Sequence, residues 1–138
     1  MNALVIPQAI FCQLLDQARK HQPIEACGIL GGRGDRVETF HPMTNTDNSA
    51  DHFLMDPAEQ FKVIKALRAT GQRMLAVHHS HPASPARPSA EDIRLALTPD
   101  VLYTILSLQN APSTVLKAFA VDVDDGLAKE HPLVIEAQ

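Results

Sequence analysis

Arg73-Met74-Leu75-Ala76-Val77-His78-His79-Ser80-His81-Pro82, followed after Ala83 to Pro88 by Ser89-Ala90-Glu91-Asp92, is the stretch that organises the rest of the chain. Arg73 to His79 reads as a strand, bounded by Gly71 before it and by a loop carrying Pro82, Pro85 and Pro88 after it. A short helix from about Ala90 to Leu97 comes next, opened by Ser89. Residues two apart at the end of a strand point to the same face, so His79 and His81 offer two imidazoles to one point in space.

Upstream, Ala3 to Ile6 is a short apolar run, and Pro7 is a plausible first residue of a helix. Phe11, Leu14, Leu15 and Ala18 fall at helical spacing within Gln8 to Lys20, and Pro23 closes the segment. Ala26 to Leu30 reads as a buried strand, Gly31 to Asp35 as a glycine-rich hairpin turn, and Val37 to Pro42 as its partner strand. Met43 to Asp51, rich in Thr, Asn, Asp and Ser, reads as a surface loop. Asp56 caps a helix with Pro57 at its first position, an apolar stripe of Phe61, Ile64 and Leu67, and Gly71 at its end. Downstream, strands are expected near Leu102 to Leu108 and Val115 to Val121, with a turn at Asp124-Asp125-Gly126 and a last extended segment from Leu127 to Ile135. Strands punctuated by three helices predict an α/β fold, a mixed sheet flanked by helices.

The 138 residues correspond to one domain, expected over 1–138. The chain is 45% apolar and 20% charged, an ordinary globular composition. Five Phe, one Tyr and no Trp provide little base-stacking surface, and a net charge of −4 is the wrong sign for a phosphate-backbone binder, so no nucleic-acid partner is expected. No apolar run approaches the ~20 residues of a membrane span, and the start of the chain lacks signal-peptide character. Two cysteines, Cys12 and Cys27, fit a reducing cytosol, and a cytoplasmic location is expected.

The His79/His81 pair is a two-ligand start for zinc, and Asp92, just inside the following helix, could return a carboxylate to the same point. Three protein ligands and a position open to water make a catalytic rather than a structural zinc site. Such a site needs a carboxylate base that does not bind the metal. Glu25 is the candidate, because it stands where the apolar strand begins and a charge there belongs to a strand end or to a site. Each piece also has a plain structural reading: Ser89 and Asp92 form a capping box, the proline loop is turn chemistry, and Glu25 is a solvated strand end.

The joint spacing resembles a known signature. His79-Ser80-His81-Pro82, seven further residues ending with Ser89, then two more and Asp92, is similar to the His-x-His-Pro-(x)n-Ser-x-x-Asp pattern of the JAMM (MPN+) metalloproteases. Glu25-Ala26-Cys27-Gly28 matches the upstream glutamate of that family, and Asn45 to Pro57 and Tyr103 to Ser107 look like its compact prokaryotic members. The resemblance implies a single MPN-like domain with a mixed, curved sheet and one zinc ion per chain. By it, His79, His81 and Asp92 bind the metal, Glu25 is the catalytic base and Ser89 steadies the oxyanion. It also implies a zinc isopeptidase or peptidase acting on the C-terminal tail of a small ubiquitin-like or sulfur-carrier protein, for example to release cysteine. An extended Gly-Gly tail could add as a strand beside a sheet edge near the zinc. The alternatives are a metal-free MPN scaffold that only binds partners, and a cysteine hydrolase built on Cys27. His78 should point to the other face of its strand, and His21, His41, His52 and His131 lie in turns or at element ends.

Overall fold

The computed structural model describes residues 2–137, so the two end positions of the expected 1–138 domain lie outside it. Among the described residues the order is β1 (Leu4–Pro7), α1 (Gln8–His21), β2 (Cys27–Arg33), β3 (Arg36–Met43), α2 (Pro57–Ala69), β4 (Arg73–His81), α3 (Ala90–Arg94), β5 (Leu102–Ser107), β6 (Val115–Asp122), β7 (Leu127–His131) and β8 (Leu133–Glu136). All eight strands form one mixed sheet in the order β7-β6-β5-β4-β2-β3-β1-β8. β1 runs parallel to β3 and β8, and β4 parallel to β5, while the remaining pairs are antiparallel. The two edge strands, β7 and β8, are separated in the chain by Pro132 alone. The sheet must therefore curl until its edges nearly meet, and the Leu4 N–H donates to the Pro132 carbonyl at that seam.

Alternation along the inner strands sorts the core into two faces. Leu30 and Ala76 face the side covered by α1, with Ile6, Ile10 and Leu14, whereas Ile29 and Val77 face the other side, with Met43, Met55, Leu67 of α2 and Tyr103. Each fully buried Ile or Leu is worth roughly 1.5–3 kcal/mol, which is the driving force that fixes the register. The same alternation in β4 sends His79 and His81 to the α2 side and His78 and Ser80 to the α1 side.

Several expectations shift. Pro7 ends β1 and is the N-cap of α1 rather than its first residue. The buried face of α1 is Ile10, Leu14, Gln17 and Ala18, with Phe11 and Leu15 only half-buried. Gly31 and Gly32 belong to β2, and the turn is confined to Gly34 and Asp35. Crowding requires a glycine at Gly32, where a Cβ would lie 2.0 Å from the Arg36 carbonyl oxygen, whereas a Cβ on Gly31 would lie 2.3 Å from Leu67 Cδ2 and would displace that side chain. In α2 the stripe is reduced to Leu67, while Phe61 faces solvent under the ammonium of Lys65. β4 continues two residues past His79, α3 stops at Arg94, and the last extended segment is broken at Pro132 into strands on opposite edges.

Candidate metal centre

At the C-terminal end of β4, His79 and His81 project from one face, and Nε2 of one lies 3.0 Å from Nε2 of the other. Asp92 Oδ2 is 3.1 Å from His79 Nε2 and 3.0 Å from His81 Nε2. All three side chains are more than nine-tenths buried. Asp92 is delivered by the start of α3, where Ser89 Oγ accepts the Asp92 N–H and Asp92 Oδ2 accepts the Ser89 N–H, both at 3.0 Å. The capping box and the ligand-type cluster are one arrangement, because the cap fixes the carboxylate that faces the imidazoles.

The hydrogen-bond inventory of the cluster calls for a positive charge at its centre. His81 Nδ1 lies 2.8 Å from the Pro85 carbonyl, which can only accept, so His81 carries its proton on Nδ1 and turns the Nε2 lone pair inward. That lone pair meets a carboxylate oxygen and a second imidazole nitrogen at hydrogen-bond distance, a contact that a proton or a cation must bridge. Ligand atoms 3.0–3.1 Å apart can share one ion, since zinc sits about 2.0–2.1 Å from nitrogen or carboxylate oxygen. Two imidazoles and one carboxylate are a donor set found in hydrolytic zinc sites, leaving room for a fourth ligand. The donors therefore fit the metal.

Electrostatics within the cluster follow from burial and these contacts. Burial raises Asp92, but the His79 and His81 rings against it, together with the Ser89 N–H, outweigh that penalty and hold the carboxyl well below its ordinary range. Burial lowers His79. For His81 the same burial penalty is overcome by Asp92 and by the Pro85 carbonyl, and its pKa rises. His79 Nδ1 has no hydrogen-bond partner, and the ring is held by stacking on Phe53 with centroids 4.6 Å apart.

Glu25 lies in the segment leading into β2, buried, with Oε1 lacking a partner. Burial pushes its pKa up to about 8 against the favourable charge of His81, and the nearby Asp92, Asp51 and Glu91 push the same way as burial. Its backbone is fixed from several sides. The Glu25 N–H donates to the Ser49 carbonyl, Asn45 Nδ2 donates to the Glu25 carbonyl, and Ser80 Oγ accepts the Ala26 N–H at 2.8 Å. Gln17 of α1 donates to the Cys27 carbonyl at 2.8 Å. Sequence reasoning missed Ser80, Asn45, Gln17 and Phe53. Alternation in β4 could have found Ser80, which sits between the two histidines and so faces away from them; the other three carry no local signal.

His78 packs edge-on to Phe40 with Nδ1 2.8 Å from Thr104 Oγ1, on the face away from the cluster. Burial pushes its pKa down to about 3, so it is a neutral core residue. Cys27 is directly opposite His79 in the β2/β4 register, but burial pushes the thiol up to about 12 and its Sγ faces the Met43 carbonyl. A thiol that stays protonated inside the sheet is a poor nucleophile. β4 is an inner strand, paired on one side with β2 and on the other with β5, so no sheet edge borders the cluster on β4.

Comparisons agree with this architecture. Residues 7–121 match Prok-JAB, the prokaryotic homologs of the JAB domain. The CysO-cysteine peptidase of Mycobacterium tuberculosis is 34% identical over 135 residues, covering 96% of this chain and 92% of the relative. A solution structure of a protein from Desulfitobacterium hafniense is similar at TM-score 0.87 and 42% identity, covering 97% of this chain and 93% of that one. A structure described as JAMM, a metalloprotease-like zinc site in the proteasome and signalosome, shares the fold at TM-score 0.58 and 18% identity, covering 96% of this chain and 99% of that one. With the greater part of its length matched, the chain belongs to the family of prokaryotic homologs of the JAB domain.

Proposed function

We propose that this protein is a zinc-dependent peptidase that hydrolyses the bond between the C-terminal Gly-Gly tail of a small ubiquitin-like or sulfur-carrier protein and an amine, with release of cysteine first among the possible products. The observation that carries the reading is the convergence of His79, His81 and Asp92, near enough to the buried Glu25 for the charges of His81 and Asp92 to act on its carboxyl. The resemblance of nearly the whole chain to a peptidase acting on CysO-cysteine supports the substrate class. We further propose one domain over residues 1–138 and a cytoplasmic location; among the described residues no helix is long and apolar enough to cross a membrane, and Cys12 and Cys27 are both free thiols.

In this reading His79 Nε2, His81 Nε2 and Asp92 Oδ2 would hold the ion. Zinc bound there supplies Lewis acidity, which brings the pKa of water toward 7 and polarises a carbonyl. Glu25 accepts the proton lost by the attacking water and passes it to the departing amine. Burial raises the proton affinity of this carboxyl above that of an exposed glutamate, and the positive charge of a bound ion would favour the ionised form that accepts the proton. Ser89 Oγ receives the Asp92 N–H and keeps its own O–H to donate, so it can stabilise the oxygen on which charge develops. A donor of that kind is worth about 3 kcal/mol.

The metal-free scaffold reading gains nothing from the structure, since a scaffold has no need of three buried ligand-type atoms within hydrogen-bond distance of one another. The test is metal analysis of protein purified without added zinc, together with a panel of carrier conjugates ending in Gly-Gly-Cys, Gly-Gly-Lys isopeptides and unrelated peptides. One zinc per chain and turnover of a carrier conjugate are expected. A folded protein that takes up no zinc would overturn the enzyme reading, and turnover of unrelated peptides alone would overturn the substrate class.

A further inference from the structure

Next to the cluster a cavity of about 260 Å3 opens between the loop after β3 and the segment following α3. His79 and Asp92 form part of its wall, and most of the remainder is apolar, including Met55, Val77, Ile105 and Val121. Leu54, Leu95 and Leu97 also line it, and they are 53%, 44% and 72% exposed. Several large aliphatic side chains left in water around one cavity mark a surface that is covered when a partner binds. A tail of two glycines has no side chain to cover it.

We propose that this cavity takes a bulky aliphatic or aromatic side chain of the substrate, on the acyl side of the scissile bond and immediately upstream of the terminal glycines. The proposal rests on the function proposed above and adds a specificity determinant to it. The side follows from the position of Glu25. The departing amine must leave next to the carboxyl that protonates it, whereas the cavity is lined by His79 and Asp92 and by neither Glu25 nor His81. The acyl part of the substrate therefore occupies the cavity side of the cluster. An extended chain advances about 3.3 Å per residue, so two glycines set the preceding side chain roughly 7 Å from the reacting carbonyl, beyond the ligands and within the apolar walls.

The test uses the full chain and peptide acids ending in Xaa-Gly-Gly, with Leu, Phe, Ala or Lys as Xaa, titrated by calorimetry or by NMR. Leu and Phe peptides are expected to bind about ten- to a hundredfold tighter than Ala or Lys peptides. Val121→Trp, which fills the cavity, should reduce that advantage to less than about threefold. Equal binding across the series, or an advantage that survives Val121→Trp, overturns the proposal. Should Val121→Trp fail to fold, Leu97→Ser and Leu54→Ser at exposed positions must weaken the Leu peptide and leave the Ala peptide unchanged, and no change in either overturns it. The two readings fail separately. Gly-Gly conjugates cleaved equally well whatever precedes the glycines would defeat the cavity and leave the function standing. Binding of apolar peptides without Gly-Gly ends in the same cavity, with no turnover of carrier conjugates, would defeat the carrier tail and leave the cavity standing.

Discussion

Asn45 Nδ2 donates to the backbone carbonyl of Glu25 at 3.0 Å, and the same amide donates to the His52 carbonyl at 3.0 Å. Its Oδ1 accepts the N–H groups of Asp47 and Leu54, so one side chain ties the proposed base to the whole loop that leads to Phe53. Asn45→Ala should lower kcat far more than it changes KM, while zinc content stays at one per chain. Leaving several partly buried backbone groups unpaired should also cost about 1–3 kcal/mol of stability, read by urea denaturation. An unchanged kcat in a well-folded variant would show that Glu25 needs no such tether.

Ligands and base should separate cleanly in metal analysis. His81→Ala and Asp92→Asn are expected to lose zinc, whereas Glu25→Gln keeps it and loses turnover by about 10²- to 10⁴-fold. Asp92→Asn is the more telling ligand change, because Asn retains an acceptor for the Ser89 N–H and so preserves the cap. Zinc release from Glu25→Gln would reassign Glu25 as a ligand.

A chelator should abolish activity, and a thiol alkylator should not. Cys12 is exposed and should react readily, while Cys27, buried with its pKa raised to about 12, should be modified only on unfolding. Mass spectrometry of the native protein should show a single adduct on Cys12 with activity retained. Inactivation that tracks a Cys27 adduct would revive the cysteine-hydrolase reading.

His78 predicts a pH dependence of stability. Its pKa is about 3 in the folded chain, lowered first by burial and then by the charge of His79, against about 6.5 when unfolded. Between these values the unfolded chain binds a proton that the folded chain excludes, so stability falls as pH drops from about 6.5 toward 3 and rises again with pH. One such group contributes about 1.4 kcal/mol per pH unit within the window. In His78→Gln, denaturation midpoints measured across that window should lose one proton's worth of slope relative to the unaltered protein, even though the variant is less stable at pH 7.

Much of the site was legible because its spacing is local. Alternation in β4 sends His79 and His81 to one side and His78 to the other, and the Ser89/Asp92 cap is written in four consecutive residues; both follow from backbone geometry within one element. The strands and helices likewise announced themselves by their apolar periods, with boundaries displaced where tertiary contacts extend a strand, as in β4, or end a helix early, as in α3.

What the sequence by itself determined is therefore the chemistry on offer: two imidazoles on one face, a capped carboxylate eleven residues after the second of them, and a lone glutamate at the start of an apolar strand. Only the tertiary structure decided how these groups act together. Pairing of β2 with β4 brings the Glu25 segment beside the two histidines, the Pro85 carbonyl chooses the tautomer of His81, and the Asn45 loop presses Phe53 against His79. The curl of the sheet sends the two halves of one extended segment to opposite edges. These are contacts between residues far apart in the chain, fixed by burial of apolar surface on both faces of the sheet, and no local pattern of residues encodes which distant partner each group will meet.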